Sequence, residues 1–578
     1  PVLAENPLEI LKKIQHPVKK QQLEFDTIFR THIIKDLAQA KVILLDDQLN
    51  NENQKKYVKK FFRKSLKPIL KTIELNSNGI PDELHETSIY LVVRVRSSSS
   101  TETGTYVYTL VEIPGDKLGR FITLPASDNR HYVIFLDDVI RCCIQELFPE
   151  AAQIESYSIK LTRDADLMLE DEFSGSLLKK IKKGIAVRSQ GIPTRLMYDK
   201  AMPADLLKFL RTTFNIGQMD LLPGGRYLNL SDLLHFPQPV QKGLLDEKWP
   251  CIKPEFSSLF ETMEKGDRLL HFPYHCFQPV IDFLKEAADD PNVLSIKITL
   301  YRVAKASKVI KALLRALSRG KSVTAFVELK ARFNEQSNIS YARELEEAGA
   351  TVLYSFPELK VHAKMICVER MENERLRRYV FLSTGNFNES TANTYVDSGL
   401  FTRDKVITKE VAAFFEILND TRVKREFNQL LVAPDHMRHQ LVTLIDQEIK
   451  NALKGKPAYI LMKLNSLQDQ RIIDKLYEAG NEGVKVKLIV RGICCLIPGR
   501  KGLSENIRVL SIVDRFLEHN RIFIFANSGQ PKVYLSSADL MERNLSRRFE
   551  VAFPILNPAC AQEIIDIFNI QWSDTVKA

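Results

Sequence analysis

Residues 359–388 read LKVHAKMICVERMENERLRRYVFLSTGNFN. A His-x-Lys pair, His362 and Lys364, runs into the apolar segment MICV, and a second strand-like run, YVFLS, ends in Thr-Gly-Asn-Phe-Asn. Strand side chains repeat every second residue, so the spacing places His362 and Lys364 on one face of a strand. An imidazole beside a fixed cation suits an anionic, phosphoryl-bearing substrate. A single pair of this kind is more often a core histidine with a lysine on the rim. What changes the reading is a second copy.

Residues 290–400 and 456–556 present the same parts in the same order. In the first, LSIKITLYRV, a helix, SVTAFVELKARF, another helix, GATVLYSFPELKVHAKMICV and YVFLSTGNFN follow one another. In the second, AYILMKLNSL, a helix, VKVKLIVRGICC, IRVLSIVDRFLEHNRIFIFA and KVYLSSADLMERN do. His519 and Arg521 stand where His362 and Lys364 stand, at one offset: 519 − 362 = 521 − 364 = 157. Two α/β halves that each offer a histidine imply a pseudo-twofold site, one imidazole attacking phosphorus and the other managing protons.

The rest of the chain fits a multidomain enzyme. Its 578 residues exceed one core, and 44% hydrophobic and 27% charged residues describe a globular protein. No apolar run approaches a membrane span and the N-terminus lacks a signal pattern, so a cytoplasmic protein is expected. Eight cysteines without a Cys-x-x-Cys point to neither a zinc site nor a disulfide framework. The net charge of +10 leans toward an anionic partner. Residues 1–75 read as helix, with a strongly basic run over 55–71 that is either a solvated face or a nucleic-acid or membrane face. Strands alternate from 88 to 167 around one helix, helices return over 170–235 with a short strand or two, residues 236–256 read as a linker, and 404–455 reads as helical with a boundary at LLVAPDHMR.

The paired histidine motifs resemble those of the phospholipase D superfamily, His-x-Lys-x4-Asp followed by a Gly/Ser-x-Asn turn. Glu369 replaces the aspartate in the first copy, Ala526 in the second, and Arg521 replaces the lysine. These departures argue against a plain phosphodiesterase or phosphatidyltransferase, which stays the alternative, and toward phosphoryl transfer. A polyanion-binding protein with degenerate sites is a third reading.

Taken together, HFPYHCFQPV, KITLYRV, VELKARFNEQSNI, ELEEAGATV, LKVHAKM, FLSTGNFNESTANTYVD, KLNSLQD, LIVRGICCLIPG, GLSENIRVLSIVDRFLEHNRIF and LSSADLMERNLSRRFEV resemble the long-chain, phosphohistidine type of polyphosphate kinase. The resemblance implies α/β and α+β multidomain architecture, with two phospholipase D-like α/β domains related by duplication. Residues 1–33 would be the remnant of an N-terminal helical domain, 34–248 an α+β head domain, 249–429 the first catalytic domain and 430–578 the second.

It implies reversible transfer of the terminal phosphate of ATP to inorganic polyphosphate, with Mg2+, in the cytoplasm or peripherally on the inner face of the membrane. A homodimer or homotetramer without nucleic acid is implied too. His362 would carry the phosphate and His519 would act as acid or base and contact ATP. Tyr395 and Arg491 would contact the nucleotide. Arg302 and Arg332 close strands at the end where open α/β sheets bind ligands. The family associates this pair with the magnesium site; a guanidinium has no lone pair for a metal, so the two are read as clamps on metal-bound phosphates. Lys364, Arg521, Asn386 and Asn388 are expected phosphate-binding or orienting groups from spacing. Asp397, Glu518 and Asp539 are left open between orienting histidines and binding magnesium.

Overall fold

In the computed structural model of the chain the described residues are 6–75, 79–81, 84–85, 88–97, 106–163, 193–238, 244, 246–247, 249–304, 306–331, 334–354, 356, 359–434 and 436–576. They form two compact units, one from residues before 249 and one from Trp249 onward. Among the described residues no helix is long and apolar enough to cross a membrane.

The first unit opens on the helix Pro7–Ile28, where the Asn6 side chain accepts a hydrogen bond from the Leu8 N–H at 2.9 Å and so satisfies a free helix-end donor. The sequence pattern carries helix on through KVILL, but Lys41 takes a left-handed φ of 64° and Val42–Leu45 becomes a strand parallel to Arg130–Phe135. The left-handed residue ends the helix, and β-branched Val42 and Ile43 pack better on a pleated surface. The next helix, Glu52–Phe61, runs into a π-helical turn, Phe62–Leu66, and a 3-10 turn, Lys67–Ile69. Gln54, Val58, Phe62 and Leu66 all stay buried at a spacing of four. An undistorted α-helix would rotate that row by about 40° per step. Behind it lies a six-stranded sheet in the order Thr72–Leu75, Val107–Ile113, Ile89–Ser97, Ala151–Arg163, Pro193–Asp199, Leu221–Gly224. The part of the expected 170–235 helical passage that falls on 170–192 lies outside the described residues.

The second unit is built twice. Strands Tyr395–Thr402, Arg375–Ser383, Lys364–Glu372, Val293–Leu300, Ser322–Val327 and Thr351–Tyr354 lie side by side in that order. Arg548–Pro554, Lys532–Ser536, Arg521–Phe525, Tyr459–Leu464, Lys485–Val490 and Ile507–Leu510 repeat it in a second sheet. Each sheet is mixed, three parallel strands joined to antiparallel ones. The helical passage with its boundary at LLVAPDHMR holds the strand Leu431–Ala433 at that boundary, between the helices Lys405–Asn419 and Met437–Leu453, because this short apolar run adds an antiparallel edge to Arg548–Pro554.

Each sheet also receives a two-residue strand from the other half. Lys360–Val361 pairs in parallel with Arg548 and Phe549 of the second sheet, and Leu517–Glu518 pairs in parallel with Tyr395 and Val396 of the first. This revises the placement of His362 and Lys364 on one strand. Pairing to the other half stops at Val361 and pairing within the half resumes at Lys364, so His362 occupies the gap between sheets.

Between the sheets, Ile407, Val411 and Phe414 of Lys405–Asn419 and Ile564 and Phe568 of Pro558–Trp572 meet Met365, Val380, Leu400, Ile522, Leu535 and Val551 in one core. Strand alternation sends Ile460, Met462 and Leu464 to the opposite face, against the helices Met437–Leu453 and Gln470–Asn481. The two layers hold the sheet edges that carry the histidines in fixed register.

Candidate active site

His362 enters the gap with its backbone N–H donating to the Phe549 carbonyl at 2.9 Å. One residue further along that partner strand, the Glu550 Oε2 lies 2.9 Å from His362 Nδ1. The second half repeats this. The His519 backbone N–H donates to Val396 O at 3.1 Å, and Asp397, the next residue, meets His519 Nδ1 at 2.8 Å. Each histidine is therefore oriented by a carboxylate from the opposite half. An ionised carboxylate accepts only, so Nδ1 carries the hydrogen in both rings and Nε2 keeps its lone pair.

Each carboxylate is itself held. Thr384 Oγ1 donates to Asp397 at 2.7 Å, and Ser537 Oγ donates to Glu550 at 2.5 Å, with Asn544 Nδ2 on the other oxygen at 2.8 Å. In the first half the turn residue Gly385 is required by close approach: a Cβ there would lie 2.3 Å from Asp397 Oδ2. Burial pushes the Glu550 carboxyl up, but His362, Lys364 and Arg548 outweigh it and hold it down at about 2. Burial also lowers His362, to about 3, so its ring is neutral at physiological pH. Burial lowers His519 as well, with Asp397 opposing and Arg521 assisting.

The cations divide by half. Lys364 Nζ donates to the His362 carbonyl at 2.5 Å and lies 5.5 Å from the Tyr301 ring centroid. Burial, with the Arg521 and Arg548 charges adding and Glu550 opposing, brings the Lys364 ammonium down to about 7. Arg521 is gripped by Asp539, Nε to Oδ1 at 3.2 Å and Nη2 to Oδ2 at 3.0 Å, while its Nη1 reaches the His519 carbonyl at 2.7 Å and Nε2 at 3.1 Å. Lys463 is wholly buried and donates to Glu518 and to Asn520 Oδ1, the latter at 2.5 Å. Glu550 on His362, Asp397 on His519 and the Asn520 amide donating to Ser398 Oγ at 3.3 Å all cross between the halves, so the two constellations share the seam between the sheets.

Of the other residues singled out by sequence, Tyr395 packs beside the His519 ring with centroids 5.3 Å apart, and Arg491 Nε donates to Asn465 Oδ1 at 2.5 Å and to the Glu518 carbonyl. Among the described residues Arg302 has no hydrogen-bond or ion-pair partner and its Nε is buried. Arg332 lies outside the described residues. Asn386 keeps a buried Oδ1 without a partner. The Asn388 Oδ1 accepts from the Ser390 and Thr391 N–H groups at 3.0 and 3.1 Å and closes the turn.

Sequence reasoning missed Glu550, Thr384, Ser537 and Lys463. The signal for Glu550 was present, since Ser383 and Ser536, Asp397 and Glu550 share one offset: 536 − 383 = 550 − 397 = 153.

The three carboxylates left open are engaged: Asp397 with His519, Asp539 with Arg521, and Glu518 with Lys463. Among the described residues no cluster of three or more His, Cys, Asp or Glu is disposed to hold a metal ion.

Three family models cover most of the chain: the polyphosphate kinase middle domain matches residues 53–236, C-terminal domain 1 matches 258–425, and C-terminal domain 2 matches 430–578. The polyphosphate kinase of Vibrio parahaemolyticus is 39% identical over 100% of this chain and 83% of its own length, and that of Escherichia coli K12 is 40% identical over 98% and 84%. The crystal structure of polyphosphate kinase from Porphyromonas gingivalis superposes with a TM-score of 0.85 at 37% identity, covering 98% of this chain and 85% of that one. The chain belongs to the polyphosphate kinase family.

Proposed function

We propose that the protein transfers the terminal phosphate of ATP to the end of an inorganic polyphosphate chain, reversibly, through a phosphohistidine at His362. Nε2 of His362 forms a bond to the γ-phosphorus while the β–γ bridging oxygen leaves with ADP. A terminal oxygen of polyphosphate then takes the phosphoryl group from Nε2 and restores the free imidazole. Glu550 keeps the proton on Nδ1 and balances the positive charge that grows on the ring during attack. His519, held by Asp397, moves protons at the leaving or entering oxygen. Phosphoryl transfer asks mainly for positioning and charge neutralisation, the work we assign to Lys364, Arg302, Arg332, Arg491 and Arg521, with Tyr395 against the nucleotide.

A kinase of this kind works with a divalent metal. We take it to be Mg2+, arriving on the substrate phosphates and not on protein carboxylates.

One observation supports His362 over His519 as the nucleophile. Among the described residues nothing hydrogen-bonds His362 Nε2, whereas His519 Nε2 is 3.1 Å from the Arg521 guanidinium, a donor that ties up its lone pair. ATP labelled on the terminal phosphate should leave acid-labile, base-stable label on the protein. His362→Ala should abolish it and cut turnover roughly 10^4-fold; label that survives this substitution sinks the assignment. Magnesium-dependent formation of ATP from ADP and polyphosphate separates the reading from a phosphodiesterase.

A further inference from the structure

The basic run over residues 55–71 contains seven lysines and Arg63 with no Asp or Glu among them. Its buried side is Val58, Phe62 and Leu66, at 1%, 0% and 0% exposure, so the opposite side is set by elimination. There Lys56, Lys59, Lys60 and Lys64 are all exposed, and among the described residues none of them is ion-paired. Arg63 is used differently: it is held by Glu146 at 2.9 Å. The π-helical turn Phe62–Leu66 matters here. Lys56 and Lys60 lie one turn, about 6 Å, apart along the α-helix Glu52–Phe61, and the wider π-helical turn that follows offsets part of the drift of a four-residue spacing, so that Lys64 continues on the same exposed side.

We propose that this ridge is a second binding surface for polyphosphate, separate from the phosphoryl-transfer site, and that it raises affinity for long chains. The proposal rests on the reading of polyphosphate as substrate. A line of unpaired cations attracts any polyanion, and the surroundings narrow the choice. A membrane-surface helix needs an apolar face to sink into the bilayer, and here Val58, Phe62 and Leu66 are used in the core. Single-stranded nucleic acid is gripped by stacking on aromatic rings as well as by charge, and the ridge offers only Tyr57, at 37% exposure. A chain of phosphates with neither bases nor acyl tails needs only the cations. A long chain held at the ridge raises the effective concentration of its own ends. A chain too short to engage both surfaces gains nothing.

The test is the full-length protein carrying Lys56→Gln, Lys60→Gln and Lys64→Gln together, against a control with the same charge loss, Lys285→Gln, Lys450→Gln and Lys454→Gln. Long-chain polyphosphate and tetraphosphate are the probes, with ATP formation from ADP as readout. The ridge variant should bind long-chain polyphosphate about tenfold more weakly at low salt, and the slope of log affinity against log salt should fall by about 2, near 0.7 for each lost contact. Its KM for tetraphosphate and ADP should stay at the wild-type value, as should its melting temperature. Unchanged long-chain affinity, or the same loss in the control, overturns the proposal. So does an equal loss for tetraphosphate, or tighter ridge-dependent binding of an oligonucleotide or of anionic vesicles than of polyphosphate at equal phosphate. A wild-type protein that makes no ATP from either probe would instead overturn the functional reading beneath it.

Discussion

The two halves of the catalytic unit share a plan and differ in how far its charges are already neutralised. In the second half Arg521 is gripped by Asp539, and Lys463 by Glu518. In the first, Asn386 stands where the repeat has Asp539, so among the described residues Lys364 has no ion-paired carboxylate and Asn386 Oδ1 has no hydrogen-bond partner. Thr299, which donates to the Ala363 carbonyl, occupies the strand position of Lys463. The second half is electrically closed before substrate arrives. The first is left open, which is why we propose that an incoming phosphate is taken there, by unspent donors and a histidine whose Nε2 has no hydrogen-bond partner among the described residues.

Removing the orienting charge probes this most strongly. Glu550→Gln should slow formation of the labelled phosphoenzyme about 100-fold, since a carboxamide no longer fixes the His362 tautomer or balances the ring's charge. Asp397→Asn should spare that labelling step more than it spares turnover. Equal losses of label in the two variants would mean the histidines are interchangeable. Asp539→Asn makes the second half resemble the first and strips Arg521 of its partner. It should cost about 3 kcal/mol in urea unfolding, the scale for breaking a buried pair; an unchanged midpoint would show Arg521 is solvated in solution.

Much of this asymmetry was readable and some was not. The histidine repeat at an offset of 157 identified both imidazoles and the duplicated α/β halves, because side-chain chemistry and strand order survive divergence. Glu550 escaped because the carboxylates repeat at 153. The first-half hairpin, Lys364–Glu372 with Arg375–Ser383, is longer than Arg521–Phe525 with Lys532–Ser536, and 157 − 153 = 4 residues are absorbed there. No local pattern shows that Lys360–Val361 leaves its own sheet for the other, since that pairing is decided by long-range packing and not by propensity. The strand at Val42–Leu45 was lost for a different, local reason: its helical-looking spacing is overruled by one left-handed residue, Lys41.

A smaller contrast lies in the turns. Gly385→Ala gives the first half the alanine that the second already has at Ala538, but here the new Cβ would meet the Asp397 carboxylate. Turnover should fall about tenfold through His519, with phosphorylation of His362 less affected; an unaffected turnover would show that the turn has room to give.

The smallest effect is a proton count. Lys364, held near 7, is about half deprotonated at neutral pH, and a bound phosphate favours its charged form. Nucleotide binding should therefore take up about half a proton at pH 7, more at pH 8 and almost none at pH 6. Calorimetry in buffers of different ionisation enthalpy reads this directly, and Lys364→Met should remove it. An uptake that persists in that variant belongs to another group.

The exchange of the two-residue strands has a consequence for the newly made chain. A ribosome-bound product that has emerged only as far as the first half carries His362 without Glu550, and Asp397 without the ring it orients. His519 is set only when Leu517–Glu518 has paired with the first sheet, and His362 only when the segment ending at Pro554 has docked. Partly made or half-folded molecules thus hold no assembled site with which to draw on the cell's ATP, and the chemistry becomes available in one step, with completion of the fold.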